Sequence, residues 1–270
     1  MKQIVIAVAA CALLFACTPG DKNNREDMVP AGAVDLGIVM TRADGTTYKL
    51  FWAKSNLSVN GLCANPEDYG DYYAWGETVP HYAKGHSQDN PCNDWRVIDG
   101  KLMAGYSWAF YKWCNGDYNK LTRYCPENKA DYWDGADTPD CKTEFADYNY
   151  ADDAARARLG GKWRMPTDAE WTALQANCTW TWTTQNGVKG YKVTATNGNS
   201  IFLPAAGYRR ATSLFSAGSG GNYWSSSLYT DYYPFYAWFV YFGSDYFGRV
   251  GFGRNYYDRD DGQSVRPVTE

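Results

Sequence analysis

Apolar positions along the chain fall into short, separated groups, and only one apolar run is long: residues 4–16, between Lys2 and Cys17. Elsewhere the pattern predicts mostly strands, with two exceptions. Residues 151–159 are rich in alanine and arginine and stop at Gly160-Gly161, a helix followed by its terminating glycines. The second helix starts at Thr167, where Thr-Asp-Ala-Glu sets an N-cap threonine three residues ahead of Glu170. That is a capping box, and Trp171, Leu174 and Cys178 follow it on one face. Residues 191–196 and 200–203 flank Asn197-Gly198, a pair that tolerates positive φ and so predicts a hairpin. Residues 237–242 alternate, which predicts Trp238, Val240 and Phe242 facing the core and Phe239 and Tyr241 facing outward. A last strand is expected over 264–268. Between 78 and 150 no periodicity lasts and Asp, Asn, Gly and Tyr are frequent, so long loops held by aromatic anchors are expected there. The predicted class is α+β, with two short helices, antiparallel strands and long irregular loops.

The apolar run at the start follows a lysine and ends at a small residue, Ala16. It reads as a signal peptide over residues 1–16, too short for a permanent membrane span. Leu14-Phe15-Ala16-Cys17 resembles the lipobox of bacterial lipoproteins, which makes Cys17 the expected lipidation site. Residues 17–32 are polar, contain proline and glycine, and read as a lipidated N-terminus and flexible tether. Residues 33–270 are then one domain, predicted to sit at the outer membrane and the cell surface, touching the membrane through its lipid alone.

Composition narrows the function classes. A net charge of −4 with scattered Lys and Arg gives no basic field for nucleic acid, which is excluded as a partner. Aromatic residues make up 17% of the chain, with 12 Trp and 23 Tyr, a composition suited to binding through rigid amphipathic side chains. Six cysteines follow Cys17: Cys63, Cys92, Cys114, Cys125, Cys141 and Cys178. In an exported chain one or two bridges are expected among the first five, with the pairing open, while Cys178 reads as a buried structural thiol.

Titratable groups supply no catalytic centre. His81 and His86 lie five residues apart in a loop, away from metal-ligand spacing, and are expected to be exposed. Asp258-Arg259-Asp260-Asp261-Gly262 lacks the spacing of a calcium loop and reads as a solvated acidic turn. Glu67, Asp68 and Asp71 are expected to cap turns. No catalytic residue, metal ligand or cofactor is assigned, and the chain is not read as an enzyme.

The segment 229–261 is the anomaly. It pairs aromatics at Tyr232-Tyr233, Phe235-Tyr236, Tyr246-Phe247 and Tyr256-Tyr257 among Asp, Arg, Ser and Gly, and contains no Lys, Glu, Gln or Met. Exposed paired aromatics mark a recognition surface. Tyr229, these four pairs, Phe239, Tyr241 and Arg249 are the expected contacts to a protein or glycan ligand. A competing reading is a structural adhesin or fimbrial tip subunit whose interface lies on strands or termini.

Several word-like motifs occur in order: Val34-Asp35-Leu36-Gly37, residues 68–77 ending in Ala74-Trp75-Gly76-Glu77, residues 160–167 with Lys162-Trp163-Arg164-Met165-Pro166, Leu203-Pro204-Ala205-Ala206-Gly207, Tyr223-Trp224-Ser225-Ser226-Ser227 and Ser264-Val265-Arg266-Pro267-Val268. Together they resemble the Fibrobacter succinogenes major paralogous domain family. The resemblance implies a C-type-lectin-like fold, akin to the formylglycine-generating enzyme and to receptors diversified by retroelements. It implies that the first and last strands pair, bringing 34–37 beside 264–268, and that Trp75, Trp163 and Trp224 are core anchors. No cysteine matches the formylglycine-generating site, which ranks that enzyme last among the readings. Diversified receptors of this fold mutate at adenines, and Tyr, Phe, Asp, Ser, Gly, Arg, Val and Asn are all reachable that way from an asparagine codon, whereas Lys, Glu, Gln, Met and Trp are not; the one Trp of the segment, Trp238, is expected at a core-facing position that such systems leave unchanged. The segment therefore looks like a hypervariable region.

Overall fold

The computed structural model describes residues 28–81, 97–98, 101–102, 105–135, 139, 141–246 and 249–270, and the side chains of 244–246 and 249–251 lie outside that description. Cys17 and the leader, His86, Cys92 and Phe247 fall outside it as well. Along the chain run β1 (Ala33–Thr41), β2 (Thr47–Ala53), β3 (Tyr72–Tyr73), α1 (Ala154–Leu159), α2 (Asp168–Asn177), β4 (Cys178–Gln185), β5 (Val188–Ala195) and β6 (Ser200–Pro204). After them come β7 (Tyr208–Arg210), β8 (Ser213–Phe215), β9 (Gly220–Leu228), β10 (Tyr236–Tyr246), β11 (Arg249–Asp258), β12 (Gln263–Ser264) and β13 (Val268–Thr269). The fold is mostly β-sheet with a few short helices. No helix among the described residues is long and apolar enough to cross a membrane.

Helix α2 forms where its capping box stands. Thr167 accepts the amide of Glu170, and the Glu170 carboxylate accepts the amide of Thr167 at 2.8 Å. Its inner face buries Trp171 and Leu174. Helix α1 is shorter than expected, since Asp153 caps it by accepting the amide of Arg156. Cys178 is the C-cap of α2 and the first residue of β4; it is half-buried rather than buried, and burial raises its thiol pKa. The expected hairpin is β5 and β6, with Ser200 opposite Thr194 and Gly198 at φ +86 in the turn.

Three sheets share the interior. One has the order β1-β2-β13, a second is the meander β6-β5-β4, and the third has five strands in the order β11-β10-β9-β12-β3. The expected last strand is broken: Ser264 pairs in parallel with Tyr223 of the five-stranded sheet, while Val268 pairs with Trp52 of β2. The terminal strand thus lies beside β2 and not β1, because Val265-Arg266-Pro267 carries the chain from one sheet to another. Arg266 secures that passage. Fully buried, it donates to Asn56 Oδ1 at 2.9 Å, the Ala53 carbonyl at 3.1 Å and the Phe202 carbonyl at 2.7 Å.

Most of the motif residues pack the interior. Trp75, Trp171 and Trp224 are buried, and each indole N–H donates to a main-chain carbonyl: Ser225 at 2.9 Å, Trp224 at 3.2 Å and Tyr73 at 2.8 Å respectively. Trp163 departs from expectation, being half-buried. Gly207 sits at φ +68 so close to the Phe215 carbonyl that a side chain would not fit. The aperiodic region is organised around buried Tyr106, Tyr111, Cys114, Leu121 and Cys125. Cys114, Cys141 and Cys178 carry free thiols.

Candidate functional site

Strand β10 decides where the aromatics of the anomalous segment go. It lies between β9 and β11 in the sheet, which covers both of its edges, and side chains from both of its faces enter core clusters. Val240 and Phe242 enter one core cluster, with Tyr191, Tyr223 and Trp171. Ala237 and Phe239 enter another, with Trp75 and Trp224. Phe239 is therefore core, its ring 6.1 Å from Trp224, and Tyr241 packs half-buried against it at 5.8 Å. The expectation that these two face outward fails because that face of the strand is itself packed into the cluster of Trp75 and Trp224.

Trp238 also departs from expectation. It is half-buried at the open end of the face that Val240 and Phe242 continue inward. Across the ladder it faces Tyr256, and the Arg254 guanidinium lies 4.9 Å from its ring while bonding Asp168 of α2 at 2.6 Å. Tyr229 meets Trp238 edge-on at 5.3 Å and stacks on Tyr256 at 4.0 Å, with Tyr236 5.3 Å from Tyr256. These rings form a platform on the sheet surface. Tyr256 is 37% exposed, and the loop before β10 adds Tyr232 at 68% and Tyr233 at 45%.

The loop is not loose. Tyr233 stacks on Phe235 at 5.1 Å, and Phe235 is buried among Trp108, Tyr118 and Tyr132 of the long-loop region. Lys129 donates to the Asp231 carbonyl at 3.1 Å. Tyr229 and Phe235 are thus supports, and Tyr232, Tyr233 and Tyr256 are the rings offered to solvent. Tyr257 points to the opposite face, half-buried beneath Arg210 at 4.9 Å and 5.8 Å from Phe239; burial pushes its phenol up to about 12. Of Tyr246 and Arg249 only the backbone is described, as the ends of β10 and β11, which pair there. Sequence reasoning missed Trp238, Arg254, Tyr118 and Tyr132 as parts of this surface. Only the uninterrupted apolar run of β10 hinted that the strand was covered on both sides.

The acidic turn after β11 is not solvated. Asp260 and Asp261 are buried, and burial pushes their carboxyls up to about 8 and about 7. Arg210 donates to Asp261 Oδ1 at 3.1 Å, while the fully buried Arg259 donates to the Tyr124 carbonyl at 3.2 Å. His81 is likewise buried. Its Nδ1 donates to the Gly105 carbonyl, its Nε2 lies 2.8 Å from Glu77 Oε2, and Tyr106 stacks on its ring at 4.4 Å. Glu77 also accepts the Lys112 amide at 2.8 Å, so this pair fastens the long loops to the sheet. Glu67, Asp68 and Asp71 do hold loops: they accept from Gln185, Asn65 and Val59 respectively.

A cleft of about 450 Å³ opens beside the platform, between the start of α2, residues 143–146 and the end of β9. Arg164 at its inner wall is held by Glu170 through two hydrogen bonds of 2.7 and 2.6 Å, and Tyr48 donates to the same carboxylate at 2.8 Å. Burial would raise the Glu170 pKa, but the bonds and charge of Arg164 outweigh it and leave that carboxyl below its ordinary value. Arg42 pairs with Glu270, which also lies 3.2 Å from Arg164.

Comparison with known proteins bears on the C-terminal third of the chain, which carries most of the platform. No curated protein and no solved structure matches. Residues 180–268, from β4 to the start of β13, match the family model described as Domain of unknown function (DUF8237).

Proposed function

We propose that this chain is a lipid-anchored binding module of C-type-lectin-like fold, displayed at the cell surface, that engages a protein or glycan through the tyrosine platform. The observation that carries the reading is the state of Tyr232, Tyr233 and Tyr256. Each is exposed, yet Tyr233 and Tyr256 rest on other rings in stacks of 5.1 and 4.0 Å. Rings held this way lose little conformational freedom on binding, which is what makes tyrosine effective in recognition surfaces. Support for the lectin-like fold comes from the structural work done by Trp75, Glu77, Gly207, Trp224 and Arg266, and from β13 joining the sheet of β1 by way of β2.

Apart from Trp238, the platform rings are of types reachable from asparagine codons, and we read the segment as hypervariable around that one tryptophan. A near-copy of its coding sequence, with adenines at the differing positions and beside a reverse transcriptase, would be the genomic counterpart. The functional test is the triple variant Tyr232→Ser, Tyr233→Ser, Tyr256→Ser. It should lose about 2 kcal/mol or more of binding, roughly thirtyfold in Kd, toward a partner recovered with the wild-type protein. Equal affinity in the variant would place recognition elsewhere. For the anchor, Cys17→Ser should end incorporation of labelled fatty acid and membrane association.

A further inference from the structure

The cleft beside the platform has a chemistry of its own. The two arginines that line it are already engaged, Arg164 by Glu170 and Glu270 and Arg42 by Glu270. An anionic ligand would have to break those pairs to find a cation. What remains for a ligand is mainly hydroxyl surface, Thr143, Ser226, Ser227 and Thr230, with the half-buried Tyr150 ring and the exposed Glu144 beside it, over a floor of the buried Phe145 and Leu228. Ser227 spends one lone pair on the Asp168 amide at 3.1 Å and keeps its own O–H to donate.

We propose that this cleft binds a neutral oligosaccharide, with no bound cation, and that further sugar units of the same chain stack on the tyrosine platform. Hydroxyls that both donate and accept match a ligand made of hydroxyls, while the half-buried Tyr150 ring suits the C–H face of a sugar ring. A guanidinium locked to a carboxylate presents donors beside acceptors on one edge, an arrangement that vicinal hydroxyls can bridge without any net charge being buried. The two sites are continuous. Thr230 lines the cleft and directly follows Tyr229, whose ring stacks on Tyr256. On the other wall, Thr167 lines the cleft next to Asp168, which bonds Arg254 over the Trp238 ring. This inference rests on the platform being a recognition surface and adds the class of ligand.

The test is calorimetry of the protein with cellohexaose, xylohexaose and mannohexaose, with the corresponding trioses, and with hexagalacturonate as the acidic probe. At least one neutral hexaose should bind, unchanged by EDTA and nearly unchanged between low and high salt, and better than hexagalacturonate. Thr230→Trp and Ala146→Trp place an indole at exposed positions lining the cleft and should each weaken hexaose and triose about tenfold or more. The double variant Tyr232→Ser, Tyr233→Ser should weaken the hexaose but spare the triose. If none of the neutral hexaoses binds, or if both tryptophan variants bind unchanged, the cleft is not a sugar site. Sugar binding that depends on the tyrosines alone, or capture of a protein by the platform with no sugar bound, overturns the cleft and leaves the platform standing. Sugar binding blocked by the tryptophans but indifferent to the tyrosines keeps the cleft and overturns the platform.

Discussion

Two aromatic assemblies, built from similar residues, occupy opposite ends of the five-stranded sheet's burden. In the interior, Trp75, Trp171 and Trp224 bury their rings completely and give their only polar atom to a main-chain carbonyl. On the surface, Tyr229, Tyr236, Trp238 and Tyr256 meet chiefly through ring faces and edges, with Tyr232 and Tyr233 projecting beyond them. The first arrangement fixes the main chain, because the indoles of Trp75 in a turn and Trp171 in α2 both tie down β9, and that of Trp224 in β9 ties down β3. The second fixes only a surface. An aromatic residue can therefore be sorted by where its polar tip ends: an internal carbonyl partner marks scaffold, and a ring left facing solvent over a stacked support marks an adaptable contact.

The comparison breaks most visibly at Trp224 and Phe239, which touch each other across the buried face of β10. Trp224→Ala and Phe239→Ser should each cost about 3–5 kcal/mol, read as lowered midpoints in thermal and urea unfolding. A Phe239→Ser protein with an unchanged midpoint would return that residue to the surface. Between the extremes stands Asp260, whose carboxyl burial holds at about 8 in the folded chain against about 4 when unfolded. The unfolded state releases its proton first, so this group lowers stability progressively as pH rises from about 4 to about 8. Asp260→Asn should accordingly stabilise by about 1–3 kcal/mol at pH 8 and hardly at all at pH 4. A gain of equal size at both pH values would remove ionisation as its cause. Smallest of all, Tyr232→Ser should change stability by under about 0.5 kcal/mol while its effect on binding stays measurable.

What was legible in the chain was what local chemistry dictates. The capping box at Thr167 and Glu170 and the Asn197-Gly198 turn need only a few adjacent residues, and both form as expected. The turn role of Asp68, which accepts the amide of Asn65, is equally local, whereas Asp71 reaches back to Val59 and Glu67 holds Gln185 and Asn186 of a distant hairpin. Errors arose where a distant segment decides the environment. His81 is buried because Tyr106 and Gly105 fold over it, and Asp260 and Asp261 because Arg210 and the long-loop region close around them; nothing next to them in sequence announces this. Phe239 was a different failure. Alternation predicts one buried and one exposed face, although residues 237–242 carry no polar side-chain atom beyond the Trp238 indole N–H and the Tyr241 hydroxyl, the mark of a strand covered on both sides. Tyr118 and Tyr132 could not be assigned to the platform from sequence, since they reach it from a region without periodicity.

The passage through Arg266 also has a bearing on how the molecule comes together. Its guanidinium joins the Ala53 carbonyl to a residue 213 positions later and reaches Asn56 and Phe202 at the same time. Contacts of such separation are the slowest to form, because the entropy of closing the intervening chain is spent before any of them is made. The sheet of β1 and β2 must therefore wait with an open edge while the meander and the five-stranded sheet assemble, and β13 is set to be a late strand. During that interval the segment most in need of shielding is Leu50, Phe51 and Trp52, not the tyrosine platform, whose rings are at home in water.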